Sequence, residues 1–164
     1  CGGSPDIRKG EQSKVAEFLR AEEIIWGGQQ DTSIPVSNEV IEVVDRAIKR
    51  TSADLVFFNH GGDTHQDHRA LAKCCVSATR YIKTVLAYEV PTSINFTPHI
   101  FVDIGDVIEE KQKLLRIHES QVDKTRVPHL MITESAIACA NFRGFQGKVK
   151  YAEGFMAIRY LLDW

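Results

Sequence analysis

No stretch of this 164-residue sequence approaches the roughly 20 consecutive apolar residues of a membrane-spanning helix, so no span is expected. A basic excess is missing too. Lys and Arg number 20 against 22 Asp and Glu, a net charge of -2 with histidines neutral, which removes the electrostatic case for nucleic acid or an anionic membrane surface. Cysteine is scarce, and no C-x-x-C pair occurs among Cys1, Cys74, Cys75 and Cys139. That argues against a disulfide scaffold and predicts buried free thiols in a reducing, cytoplasmic compartment. No repeat, low-complexity tract or linker breaks the chain, and no signal-peptide pattern is present, although a chain that begins inside a domain could have lost one. Asn95-Phe96-Thr97 fits a glycosylation acceptor, with nothing else to suggest secretion. What is there is ordinary for a globular protein with a real core: 43% apolar and 26% charged residues, read as one domain over 1–164.

The periodicity alternates. Ser4, Pro5 and Asp6 form a helix start, with Ser4 as cap, followed by a thin apolar stripe through Ile7, Val15, Phe18 and Leu19. Residues 22–26 read as a short strand closed by Gly27 and Gly28. Residues 37–50 read as a helix, with Val40, Ile41, Val44 and Ile48 at helical spacing. The apolar run 53–59 reads as a strand buried on both faces. A helix to about Arg80, strands over 83–90 and 99–105, one amphipathic helix over 106–122, and a helix over 129–144 ending at Gly144 follow. Residues 151–162 suit a strand better than a helix. The expected class is α/β, with a largely parallel sheet flanked by helices, and ligands bind such sheets beyond the carboxyl ends of the strands.

One such end carries His60-Gly-Gly-Asp63-Thr-His65-Gln-Asp67-His68. A bland account exists: Thr64 and Asp67 have capping-box spacing, and the histidines could be solvated first-turn residues. That account does not explain why His65, Asp67 and His68 stand together at the mouth of a buried strand. At a helix start, positions 65 and 68 share a face. Imidazole and carboxylate suit zinc or another divalent metal. One histidine can ligate while the other exchanges protons near neutral pH, and Asp67 can hydrogen-bond a ring nitrogen.

Here the residues carry a resemblance. Asp63 to Ala72 after the apolar run resembles the H-x-D-H segment of the PIG-L/LmbE-like deacetylases. Residues 8–19 resemble that family's first helix with its R-x-x-E element, residues 88–121 its later segment, and Tyr151-Ala-Glu-Gly-Phe155 its C-terminal element. The resemblance implies a Rossmann-like sheet and a zinc-dependent hydrolase removing acetyl from an N-acetylated amino sugar, glycoconjugate or related amide. It implies His68 as metal ligand, His65 as the catalytic histidine facing the tetrahedral intermediate, and Asp67 as the group tuning His65. It further implies Arg8 at the substrate with Glu11 in support. Asp63 borders the loop and is expected at the substrate.

The family's "HPDDE"-like segment, source of its other metal ligands and general base, does not occur among residues 1–164. The expectation is that the first strands are missing, and that the remnant alone is inactive. Two other readings compete: a degenerate member that binds a sugar or partner without chemistry, and a metallo-β-lactamase-like hydrolase, whose H-x-H-x-D-H motif is missed at Asp63. A homo-oligomer is compatible with the sequence. Of the remaining candidates, Glu153 is balanced between a site-lining carboxylate and a plain ion pair. His118 reads as a core or edge histidine, His60 as a residue near the site, His99 and His129 as structural, and Trp26 and Trp164 as packing residues.

Overall fold

The helix expected at Pro5 is the first element, α1 (Pro5–Phe18), with proline in its first turn and Asp6 beside the positive helix end. Ser4 occupies the cap position, but its side chain makes no capping bond. The computed structural model describes residues 4–122 and 127–162; Cys1 and Trp164 lie outside the described residues. The chain divides into two compact units, one of Cys1–Ile25 with Phe101–Glu153 and one of Trp26–Ile100 with Gly154–Trp164.

The second unit carries α2 (Asn38–Thr51), β1 (Leu55–Asn59), α3 (Gln66–Ala78) and β2 (Thr84–Tyr88). Ser37 caps α2 by accepting the Val40 N–H. β1 and β2 pair in parallel, from Leu55 opposite Thr84 to Asn59 opposite Tyr88. The remaining strands are β3 (Ile100–Asp103) and β4 (Ala152–Tyr160), and the four strands run in the order β1-β2-β4-β3. β4 lies antiparallel to β2, so the α/β class holds while the sheet is mixed rather than largely parallel. Phe58, Ala72, Cys75, Val85 and Ala87 form the buried cluster, joined by Val44, Val56 and Met156.

Two strand expectations change. β1 was expected to be buried on both faces, yet Leu55 is 43% and Phe57 48% exposed. Val56 and Phe58 face the cluster; the alternate residues do not, and β1 has a strand partner on one side only among the described residues. Residues 22–26 form no strand. No partner strand meets them among the described residues, and an unpaired strand leaves its backbone groups unsatisfied.

In the first unit, α4 (Ile108–Ile117) follows a short 3-10 turn at Gly105–Val107, then come α5 (Glu119–Val122) and α6 (Ile132–Gly147). α1 packs on α4 and α5, and α4 on α6. The single helix expected over 106–122 is broken at His118, whose backbone leaves the helical region at ψ 47°. Glu11, only 8% exposed, explains the break. Its carboxylate accepts the Ser120 N–H at 2.8 Å and the Ser120 hydroxyl at 2.7 Å, capping the second helix from α1. Gly144 does not end α6; it sits in the helix because an added Cβ would come 2.5 Å from the Lys150 carbonyl oxygen. The stop is Lys148, in the left-handed region at φ 64°.

Candidate functional site

The histidine loop leaves the carboxyl end of β1 and is stitched to the loop that leaves the carboxyl end of β2. The His60 N–H donates to the Tyr88 carbonyl at 2.7 Å, Ile94 N–H to Gly62 at 2.9 Å, and Thr64 N–H to Thr92 at 3.1 Å. Asn59, the last residue of β1, donates its amide to the carbonyls of His60 and His68 at 3.1 and 2.9 Å, joining both ends of the turn. The Arg69 guanidinium spans the Asp63 and Thr64 carbonyls at 2.7 and 2.8 Å. Gly62 is required by crowding: a Cβ there would lie 2.6 Å from the Ile94 carbonyl oxygen and 2.7 Å from His60 Nε2.

Asp63 is the centre of this loop. It is 1% exposed. Its Oδ1 accepts the His65 N–H at 2.6 Å. Its Oδ2 accepts from the Thr92 hydroxyl and pairs with His68 Nδ1, both at 3.0 Å. Burial pushes this carboxyl up, but the bonds from His65, His68 and Thr92 outweigh burial and hold it below the ordinary carboxylate range. An ionised carboxylate only accepts, so the proton of this pair sits on His68 Nδ1. Neutral His68 then has an unprotonated Nε2, and that nitrogen has no protein partner among the described residues. A histidine whose inner nitrogen donates to a carboxylate while the outer one presents a lone pair is the usual arrangement of a metal ligand.

His65 is arranged the other way. It is the N-cap of α3, and its Nδ1 accepts the Asp67 N–H at 3.2 Å. Neutral His65 therefore carries its proton on Nε2, as a donor. The two rings stack with centroids 4.7 Å apart and planes 29° apart, as spacing i and i+3 predicts.

Asp67, 6% exposed, spends its carboxylate on backbone. Its oxygens accept Thr32 N–H at 2.6 Å and Ile34 N–H at 3.2 Å, and Gln66 adds a bond to the Thr32 carbonyl at 2.6 Å. The loop of residues 31–34 is thereby fastened to the start of α3. The capping box Thr64–Asp67 is not formed; His65 caps instead. Nor is the ring-holding carboxylate the expected one: Asp63 holds His68, whereas Asp67 reaches His65 through its backbone N–H. Asp31, His65 and Asp67 each bring one donor atom to within 4.8 Å of the others. In that trio His65 Nδ1 and the Asp67 oxygens already take amide bonds, whereas His68 Nε2 does not.

The other expected residues lie as follows. Arg8 is half-buried on α1 and Glu11 caps α5, both in the first unit. Glu153 forms an ion pair with Lys111 at 2.6 Å. His118 Nδ1 lies 3.9 Å from Glu11. His60 meets Phe96 edge-on at 5.3 Å. His99 and His129 are exposed, and Trp26 is 51% exposed rather than packed. Cys74 and Cys75 are buried free thiols, and Cys139 is half-buried. No helix among the described residues is long and apolar enough to cross a membrane. Sequence reasoning missed Thr92, Asn59 and Asp31. Asn59 could have been suspected as a polar residue ending an apolar strand; Thr92 and Asp31 carry no local signal.

The GlcNAc-PI de-N-acetylase (PIG-L) family model matches residues 3–79. The uncharacterized deacetylase YaiS of Escherichia coli (strain K12) is 30% identical over 90 residues, covering 51% of this chain and 49% of that protein. The chain thus spans about half the length of the curated relative it matches. Among solved structures, the conserved protein TT1542 from Thermus thermophilus superposes with a TM-score of 0.84 at 20% identity, over 99% of this chain and 77% of that one. The N,N'-diacetylchitobiose deacetylase from Pyrococcus horikoshii gives 0.80 at 23% identity, over 93% and 63%. GalB, the 4-carboxy-2-hydroxymuconate hydratase from Pseudomonas putida KT2440, gives 0.74 at 18% identity, over 97% and 74%. The structural likeness is one of fold, and a fold shared by a deacetylase and a hydratase does not choose the reaction. The match to the PIG-L (LmbE-like) deacetylase family lies in residues 3–79, which carry both the Arg8 helix and the histidine loop.

Proposed function

We propose that this chain forms part of a metal-dependent N-deacetylase that hydrolyses the acetamide of an N-acetylated amino sugar or related small-molecule glycoconjugate. The observation that carries the reading is the opposed hydrogen bonding of two stacked imidazoles. His68 Nδ1 faces the buried Asp63 carboxylate while His65 Nδ1 accepts the Asp67 N–H, the two rings side by side at the end of a parallel strand. His68 would hold zinc or a similar divalent ion, whose chemistry when bound is to polarise a carbonyl and bring the pKa of its water down toward ~7.

The chain's own residues supply the rest. Asp63 keeps His68 in the ligating tautomer. His65 donates a hydrogen bond from Nε2 to the oxygen that becomes negative as water adds to the amide carbon, and when the C–N bond breaks a proton of that water ends on the leaving amine. Asp67 steadies His65 from below through its amide and holds the 31–34 loop beside it.

The test is acetate release from N-acetylglucosamine derivatives by the protein that carries residues 1–164, with zinc titrated in. Zinc-dependent release of acetate and free amine in equal amounts is expected. A protein that binds zinc at His68 yet turns over no N-acetyl substrate overturns the reading.

A further inference from the structure

Asp63 can hold His68 in one tautomer only if its own carboxylate does not turn. The terminal torsion of an aspartate is broad and intrinsically soft, so something must set it. Two bonds do, one at each oxygen. The His65 N–H takes Oδ1 at 2.6 Å, and the Thr92 hydroxyl takes Oδ2 at 3.0 Å, the same oxygen that faces His68 Nδ1. The His65 amide belongs to the same loop and moves with it. Thr92 belongs to the other loop, after β2, and is therefore the external reference for the carboxylate.

That reference is itself fixed. The Thr92 carbonyl accepts the Thr64 N–H at 3.1 Å, and the next turn is closed by Ser93 N–H to Val90 at 2.9 Å and Val90 N–H to the Ser93 hydroxyl at 3.0 Å. The Thr92 residue is otherwise exposed, so packing makes little demand on its side chain. An exposed threonine that sends its one donor to a carboxylate 1% exposed is doing so for the carboxylate, not for a core.

We propose that Thr92 is a positioning residue of the centre: its hydroxyl locks the Asp63 carboxylate in the rotation that keeps the proton of His68 on Nδ1 and leaves Nε2 open to a metal. The proposal rests on the reading of His68 as ligand, but its first readout does not need the metal.

Thr92→Val, Thr92→Ala and Thr92→Ser are made in the protein that carries residues 1–164. In the metal-free protein at a pH where His68 is neutral, nitrogen–proton correlation spectra give its tautomer. Wild type and Thr92→Ser show Nδ1–H. Thr92→Val and Thr92→Ala shift a measurable fraction to Nε2–H. Zinc affinity by competition falls roughly tenfold in Val and Ala and is kept in Ser, the lower end of what loss of an outer partner costs. If Val and Ala keep the wild-type tautomer while the Thr64 amide exchanges faster, the hydroxyl merely pins the loop and the proposal is wrong. A wild type with the expected tautomer but no zinc binding sinks the metal reading and leaves the Thr92 result to stand by itself.

Discussion

Asp63 Oδ2 lies 3.0 Å from His68 Nδ1, with the carboxylate fully inside the protein and the imidazole 38% exposed. This one contact sorts the two histidines of the loop. One ring is backed at Nδ1 by a buried carboxylate, and the other caps α3 by accepting an amide at Nδ1.

The pair sets an acid limit on stability. The Asp63 carboxyl is depressed in the folded state, because its three hydrogen bonds outweigh the opposing push of burial. A depressed carboxyl contributes its stabilisation fully above the unfolded value of about 3.9 and loses it as pH falls through the lower folded value. The thermal midpoint of the metal-free protein should therefore fall on acidification below about pH 4 to 5, and fall less steeply in Asp63→Asn. Equal slopes for the two proteins in scans across acid pH would show that the carboxyl is not depressed.

His65 and His68 should fail differently. His68→Ala should abolish stoichiometric zinc, measured by elemental analysis of the purified protein. His65→Ala should retain zinc and lose on the order of 10²- to 10⁴-fold in kcat with KM little changed, the range for a single acid–base group. Zinc retained in His68→Ala would remove that residue from the ligand set.

The two loop glycines should part company. In Gly62→Ala the new methyl meets a carbonyl oxygen at 2.6 Å and the His60 ring at 2.7 Å, whereas in Gly61→Ala the nearest atom is Ala72 Cβ at 3.6 Å, an ordinary contact. Overpacking of this kind costs about 1–3 kcal/mol, so urea midpoints should drop clearly for Gly62→Ala and hardly move for Gly61→Ala.

The Cys75 thiol should be inert. Burial, with Cys74 adjoining, pushes it up to about 12, so almost no thiolate exists at pH 8.5. Alkylation mapped by mass spectrometry should leave Cys75 unlabelled in the folded protein and label it fully in urea. Rapid native labelling would mean that the contact of α3 with the sheet opens readily.

Local pattern carried much of the architecture. Ser37 ahead of an apolar stripe marks the start of α2, and the strand–loop–helix passage from Leu55 through Ala78 is readable because β-formers, a glycine turn and a helical stripe follow one another within a short window. The same window placed His65 and His68 on one face, where the two rings stack. It could not deliver Gly144, which looks like a helix stop and instead makes room for Lys150.

Partners distant along the chain decided the rest. Asp63 meets Thr92 across 29 positions, Asp67 meets Ile34 across 33, and Glu11 meets Ser120 across 109. Periodicity and capping rules describe a residue's neighbours within a turn or a strand, where geometry repeats. Which amide or hydroxyl a buried carboxylate finds depends on how separate loops and helices come together. The family resemblance in the sequence already proposed His68 for the cation and His65 for the proton; what the sequence could not show was how the two rings are held, because the bonds from Asp63, Thr92 and the Asp67 amide close only once the chain has folded.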